Sequence, residues 1–465
     1  MKFWKDKVFF KKMLALSIPI ALQNLITSVL NIFDQLMVGW LPTNADNCLS
    51  AVLLCNQIVF IYQIVLFAAC NTAVIFISQY AENKDNQHKI PKTYGFLVCV
   101  CAFIGIVCSL LCTIAPSTVI GLFSPAPEYA QLAKDFMRLV GFSFIPMIFS
   151  VSLNFTLRGI KKMKLGLISN IIGVAFNIFF NYILMFGGLG VKPMGFIGAA
   201  YGTIISRCVE MLVMVIGTLV AKYPLFSSPK KMFAKEKGFA KKYFKMFFPI
   251  LCNEVFWVLS STVYLFVYDK LPNSEIALAG MNIAQSFDKI VSVAMIGVGS
   301  AAGVVIGNTI GTGDREKVLD YSKKCNWFSV TVGLMIGLVT IPSAFFVPLM
   351  FSGASAAAKH TATILLLLFA VTAVFRSISM MTVVGILRSG GDTTFCAITE
   401  TLLIWLVSVP LVFLFGLVVK ANIYVLFMLT NVSEILKATV FLIRVKRQKW
   451  LKFMANDTPK ETVSN

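Results

Sequence analysis

Apolar residues run along the chain in long blocks separated by short polar connectors. Twelve blocks reach the ~20 residues that a helix needs to cross a bilayer. The first six run approximately Met13–Trp40, Ser50–Tyr80, Thr93–Ala115, Phe136–Leu157, Leu165–Phe186 and Phe196–Val220. The second six run approximately Phe244–Tyr268, Ile276–Ile310, Trp327–Leu349, Ala362–Leu387, Phe395–Val418 and Ile423–Ile443. The pattern predicts an all-α polytopic membrane protein with twelve transmembrane helices.

The blocks repeat. Pro19 in SIPIALQNL lines up with Pro249 in FFPILCNEV, and Leu157-Arg158-Gly159 with Leu387-Arg388-Ser389, both at an offset of 230. Gln79 followed by Asp85 lines up with Asn308 followed by Asp314 at an offset of 229. Each half holds an even number of helices, so both begin on the same membrane face. The halves are therefore parallel repeats, two six-helix bundles related by a pseudo-two-fold axis along the membrane normal. The expected division is an N-lobe at 1–220, a linker at 221–245, a C-lobe at 246–445 and a tail at 446–465. A central cleft between bundles is where transporters of this build bind substrate.

Composition sharpens this picture. The chain is 58% hydrophobic and 13% charged, as polytopic membrane proteins are. Its net charge of +20 could suggest nucleic acid, but the Lys and Arg fall in particular connectors. Lys2, Lys5, Lys7, Lys11 and Lys12 precede the first block, and Arg158, Lys161, Lys162 and Lys164 follow the fourth. Lys230, Lys231, Lys241 and Lys242 mark the central linker, and Arg444, Lys446, Arg447 and Lys449 open the tail. This is the positive-inside distribution. It predicts a multi-pass protein with both termini and the linker cytoplasmic, and no nucleic-acid partner. The basic start reads as a retained first helix rather than a cleaved signal peptide. The end, NDTPKETVSN, reads as unstructured.

The eleven Cys lack metal-ligand spacing and read as small hydrophobes. The only histidines, His88 and His360, lie in connectors. No Walker A loop, dinucleotide fingerprint or HExxH is present. The Gly-rich run from Ile296 to Gly311 lies inside an apolar block, where small residues let helices approach closely. An enzyme, and an ATP-driven pump in particular, is not indicated, and no cofactor is expected.

The chemistry that stands out is intramembrane and polar. Asp34 lies between apolar residues in the first block, where a charge costs at least ~2.5–3.5 kcal/mol. It is about six or seven residues, or ~10 Å, from the outer helix end. Asn177 and Asn181 are four apart on one face of the fifth helix, and Thr203 enters the sixth at a similar level. Together Asp34, Asn177, Asn181 and Thr203 could hold a proton or a small cation such as Na+ through oxygen atoms. The rival reading makes Asp34 a surface residue beyond a shorter helix, and the following LMVGWL argues against it.

In the second half, Glu254 and Arg376 lie at similar counted depths and are expected to meet as an ion pair. Asn24 occupies the Glu254 position of the first repeat, so the halves differ chemically. Glu254 is either a structural ion-pair member or a coupling group; both readings stand. Asp288-Lys289 and Glu434/Lys437 read as self-compensating pairs, and Glu400 and Arg207 as either packing or cleft-lining residues.

FDQLMVG (Phe33–Gly39), NIFFNYILMFGGLG (Asn177–Gly190) running into GFIGAAYGT (Gly195–Thr203), IGNTIGTGD (Ile306–Asp314) and ILRSGGDTT (Ile386–Thr394) resemble the multidrug and toxic compound extrusion (MATE) family in its bacterial branch. The connector QYAENKDNQHK does not fit the Gly–Asp–Arg signature of the major facilitator family. The resemblance implies a secondary antiporter of the bacterial inner membrane, acting as a monomer among membrane lipids. It would export organic, often cationic and aromatic, compounds in exchange for H+ or Na+. Asp34 matches the family's N-lobe acid, with Asn177 and Thr203 as polar partners, while Asn181 stands where some members have Asp. Glu254 matches a C-lobe acid, and the helix 10 acid of some sodium-coupled members is not evident. The alternative is a flippase for a lipid-linked precursor.

Overall fold

The computed structural model describes residues 6–453 except 43, 124, 224, 227, 228, 235, 237, 273 and 352. Lys2, Lys5 and the polar end from 454 onward lie outside the described residues. Among the described residues twelve helices are long and apolar enough to cross a membrane. They are α1 (Lys7–Gly39), α2 (Ala45–Ala81), α3 (Lys89–Ile114), α4 (Pro127–Gly159), α5 (Lys164–Phe186) and α6 (Phe196–Val220). The second set is α7 (Phe239–Asp269), α8 (Ser274–Gly311), α9 (Arg315–Met350), α10 (Ala356–Leu387), α11 (Thr393–Val418) and α12 (Ile423–Lys446). The all-α, twelve-span class is as the hydropathy pattern predicts.

Several helices outrun their apolar blocks. α2 has 37 residues, about 55 Å at the usual rise, against a hydrocarbon core of ~30 Å. The polar ends of such helices extend past the apolar blocks that mark them in the sequence. Local signals set the limits. Asp314 accepts from the Lys317 amide at 3.0 Å at the start of α9. Ser355 and Asn422 do the same for α10 and α12, at 3.2 and 3.1 Å. The entry to α4 is less regular: a short helix, Pro116–Gly121, precedes it, and a 3₁₀ turn at Gly141–Ser143 interrupts it.

The chain divides into two compact units, Leu22–Tyr243 and Met1–Ala21 with Phe244–Asn465. This partition crosses the expected lobe boundaries within two helices. The start of α1 is tied to α9: Phe9 meets Tyr321 edge-on at 5.1 Å, and Asp6 accepts from Lys324 Nζ at 2.6 Å. The start of α7 is tied to the first-half unit, where Tyr243 Oη donates to the Ala69 carbonyl at 2.7 Å and Phe239 packs on Phe76.

In the first-half unit, α5 packs on α6, and α4 packs on α2, α3 and α6. Phe103, Ile106, Leu110 and Ile114 stand exposed along α3 at helical spacing, a surface suited to lipid. In the second-half unit, α10 packs on α8, α9 and α12. The segment after α12 is not a free tail where described. Trp450 is fully buried, its Nε1 donates to the Val445 carbonyl at 3.3 Å, and it covers Gly390, where any Cβ would clash.

Candidate functional site

α5 and α6 form an antiparallel pair whose contact is made of small residues. A Cβ on Gly198 would lie 2.5 Å from the Leu184 carbonyl carbon, and one on Gly202 would lie 2.0 Å from Asn181 Oδ1. Glycine at these two points lets the helices approach closely enough to press Asn181 into the α5–α6 contact. Asn177 and Asn181 are both buried, one turn apart.

Asn181 is the hub of the resulting cluster. Its Nδ2 donates to Asp34 Oδ1 at 2.7 Å and to Asn177 Oδ1 at 3.1 Å. Asn177 Nδ2 in turn donates to Ser206 Oγ at 3.4 Å, and Ser206 Oγ donates to the Thr203 carbonyl at 2.9 Å. Thr203 Oγ1 donates back to the Ala199 carbonyl at 2.9 Å, leaving its lone pairs available. Asn181 Oδ1 is buried without a hydrogen-bond partner in the structure. Four residues singled out in the sequence are thus gathered at one place. Ser206, one turn beyond Thr203 on the same helix face, joins them; that spacing is the signal that could have found it.

The cluster opens on a cavity of about 170 Å³ within the first-half unit. Asp34, Asn177, Thr203, Ser206 and Arg207 line it, with apolar walls that include Phe60, Phe136 and Met147. Asn56 and Gln63, two turns apart on α2, add polar atoms. The donor set suits a proton or a small hard cation: one carboxylate, an amide oxygen with no partner, and a hydroxyl with free lone pairs. Arg207 donates from Nη1 to Glu210 Oε2 at 2.8 Å and is half-buried.

The second-half unit corrects one expectation. Glu254 does not meet Arg376; its Oε1 accepts from Arg388 Nη1 at 3.1 Å. Arg376 instead forks onto Asp288, with contacts of 2.8 and 3.3 Å, and touches Ser292 Oγ at 3.4 Å. Depth counted from the apolar block misplaces Glu254, because α7 begins at Phe239 and not at Phe244. Asp288 is thus compensated by Arg376 on α10, not by Lys289 beside it. Arg388 also approaches Glu400 at 3.5 Å, and Glu400 accepts from Asn253 Nδ2 at 2.7 Å. Lys437 lies 3.9 Å from Glu400 and is bonded to Glu434.

The first repeat holds a neutral counterpart, which sequence reading missed. Arg158 Nη2 donates to Gln23 Oε1 at 2.6 Å, its Nε donates to Asn154 Oδ1 at 3.0 Å, and it stacks over Phe155 at 4.5 Å. Asn170 Nδ2 reaches the Gln23 carbonyl at 3.5 Å. At the 230-residue offset Arg158 answers to Arg388, Gln23 to Asn253 and Asn170 to Glu400. The repeat itself was the available signal, since it pairs Arg158 with Arg388 and Gln23-Asn24 with Asn253-Glu254.

Comparison with known proteins places this geometry among relatives. The MatE family profile matches residues 19–183 and 249–414, one match in each half. A Thermotoga maritima protein named as a probable multidrug resistance protein NorM is 26% identical over 343 residues, 71% of each chain. One of the same name from Mannheimia succiniciproducens is 23% identical over 424 residues, 88% of this chain and 86% of that one. Among solved structures, an outward-facing multidrug resistance MATE transporter of the MOP superfamily superposes with a TM-score of 0.83 at 19% identity, covering 94% of this chain and 96% of that one. A MATE structure in a bent conformation gives 0.83 at 16% identity, covering 95% of each.

Proposed function

We propose a secondary-transport mechanism for this chain, which belongs to the MatE family: it exports small organic compounds, often cationic and aromatic, in exchange for H+ or Na+. It works as a monomer in the bacterial inner membrane, with both termini cytoplasmic. The names of its relatives and the Lys/Arg distribution support this placement. The observation that carries the mechanism is the Asp34 carboxylate, held by Asn181 on the wall of an amphipathic cavity.

Asp34 is the coupling group. As a carboxylate it attracts an organic cation into the cavity and accepts the Asn181 amide. A proton arriving at Asp34 removes that negative charge and weakens the bond from α5 to α1. Na+ would instead engage the carboxylate with the oxygens of Asn177, Asn181 and Thr203. Either ion lowers the affinity for a cationic substrate, which is the linkage an exchanger requires. Pro19 lacks an amide donor, so α1 has a weak point at which to bend. Glu254 serves in the second-half unit as the counter-ion of Arg388.

The test uses purified protein in liposomes, with efflux of a fluorescent aromatic cation followed under an imposed proton gradient and then a sodium gradient. Transport driven by only one gradient identifies the coupling ion. Transport under neither, with a lipid-linked substrate moved instead, would replace this reading by a flippase.

A further inference from the structure

Arg207 faces two ways. It lines the Asp34 cavity, and it borders the small crevice beside α5 where Glu210 lies. A guanidinium carries five N–H donors. Among the described residues one of them, on Nη1, is bonded, to Glu210 Oε2. The side chain keeps 20% of its surface exposed, and that surface meets the cavity. A cation within a spanning helix is costly, and Glu210 three residues on could hold it entirely out of the cavity. The structure leaves it on the wall instead, along with Asp34, while Leu30, Val38 and Phe136 supply apolar surface.

We propose that Arg207 forms an anion-accepting subsite, so that the cavity selects amphipathic zwitterions over simple organic cations. The ammonium end of such a ligand goes to Asp34, and its carboxylate or other acidic group goes to the free donors of Arg207. A simple cation gains only the first contact and is repelled by the guanidinium. A zwitterion gains both, the second as a charge-assisted, fork-shaped contact that arginine makes well with carboxylates. This rests on the reading of the cavity as the substrate site.

The discriminating measurement is binding of two small fluorescent probes to the purified full-length protein: the methyl ester of a coumarin-bearing amino acid, which is cationic, and the free acid of the same amino acid, which is the zwitterion. The wild type should bind the free acid about tenfold more tightly than the ester, the scale of one hydrogen bond to a charged group. Arg207→Gln should abolish that ratio. Glu210→Leu, which removes the acceptor and so releases the guanidinium, should widen it, so the proposal does not hang on one variant folding. Equal affinities in the wild type, or an unchanged ratio in folded Arg207→Gln, would overturn the subsite while leaving the antiporter reading intact. Failure of both probes to bind, or binding of both that is indifferent to Asp34→Asn, would instead remove the cavity as the substrate site, and the subsite with it.

Discussion

Arg158 and Arg388 occupy the same point of the two repeats, and they are satisfied in opposite ways. Arg158 is held by the neutral Gln23 and Asn154 and by the face of Phe155. Arg388 is held by two carboxylates, Glu254 and Glu400, in a network that continues to Lys437 and Glu434. The reverse holds nearer the C-terminal ends of α1 and α7. There the first repeat carries Asp34, which accepts from a neutral amide, and the second has Tyr264 at the corresponding position. At these two points the first repeat sets a carboxylate against a neutral amide, and the second sets its carboxylates against cations. A carboxylate bonded to a neutral amide can take up or release a cation without orphaning a partner. One locked between arginine and lysine cannot do so without leaving a buried charge unpaired.

The strongest way to break this contrast is Asp34→Asn. The amide keeps the shape and can still bond Asn181, but it cannot carry a charge. Gradient-driven efflux should fall to the level of protein-free liposomes at normal expression; wild-type rates would remove Asp34 from the mechanism. Next comes Arg388→Ala, which leaves Glu254 and Glu400 facing each other. It should cost about 3–5 kcal/mol of unfolding free energy, as other broken buried ion pairs do. Arg158→Ala, read by the same unfolding measurement, should cost only about 1–3 kcal/mol, because it orphans neutral groups. Equal losses at the two positions would show that the repeats are not energetically distinct.

Gly202→Ala sharpens the comparison from the side of packing. Its Cβ would fall 2.0 Å from Asn181 Oδ1, so Asn181 must move off Asp34. Overpacking of this kind costs about 1–3 kcal/mol. The proton or sodium concentration for half-maximal transport should shift, with expression retained; an unchanged ion dependence would uncouple Asn181 from the site. The smallest effect is expected at Asp6→Asn, outside the spanning helices. Lys324 and the Phe9 amide hold the Asp6 carboxyl below its usual range. A depressed carboxyl adds stability above its unfolded-state value and loses it as pH falls through the folded one. The pair is solvent-screened, so the gain is about 0.2–1 kcal/mol at neutral pH. It should vanish in acid, where melting curves of the variant and the wild type would coincide.

The amino-acid sequence by itself determined the class of the molecule. Twelve apolar blocks can only be buried in lipid as helices, because the backbone must satisfy its own hydrogen bonds there. Their repeat at 230 residues showed in two alignments that survive as the two stretches matched by the family profile. It also singled out Asp34, Asn177, Asn181 and Thr203, because intramembrane polar groups on related turns have few places to go but toward one another. Only the tertiary structure decided the partners. Arg388 rather than Arg376 takes Glu254, Asp288 takes Arg376, and the first turns of α1 belong with α9. The reason is geometric. Helical periodicity fixes which residues share a face, but not how far a helix slides along its neighbour. Arg376 and Arg388 stand twelve residues apart, about 18 Å of helical rise, so which of them meets Glu254 depends on how α10 lies along α7.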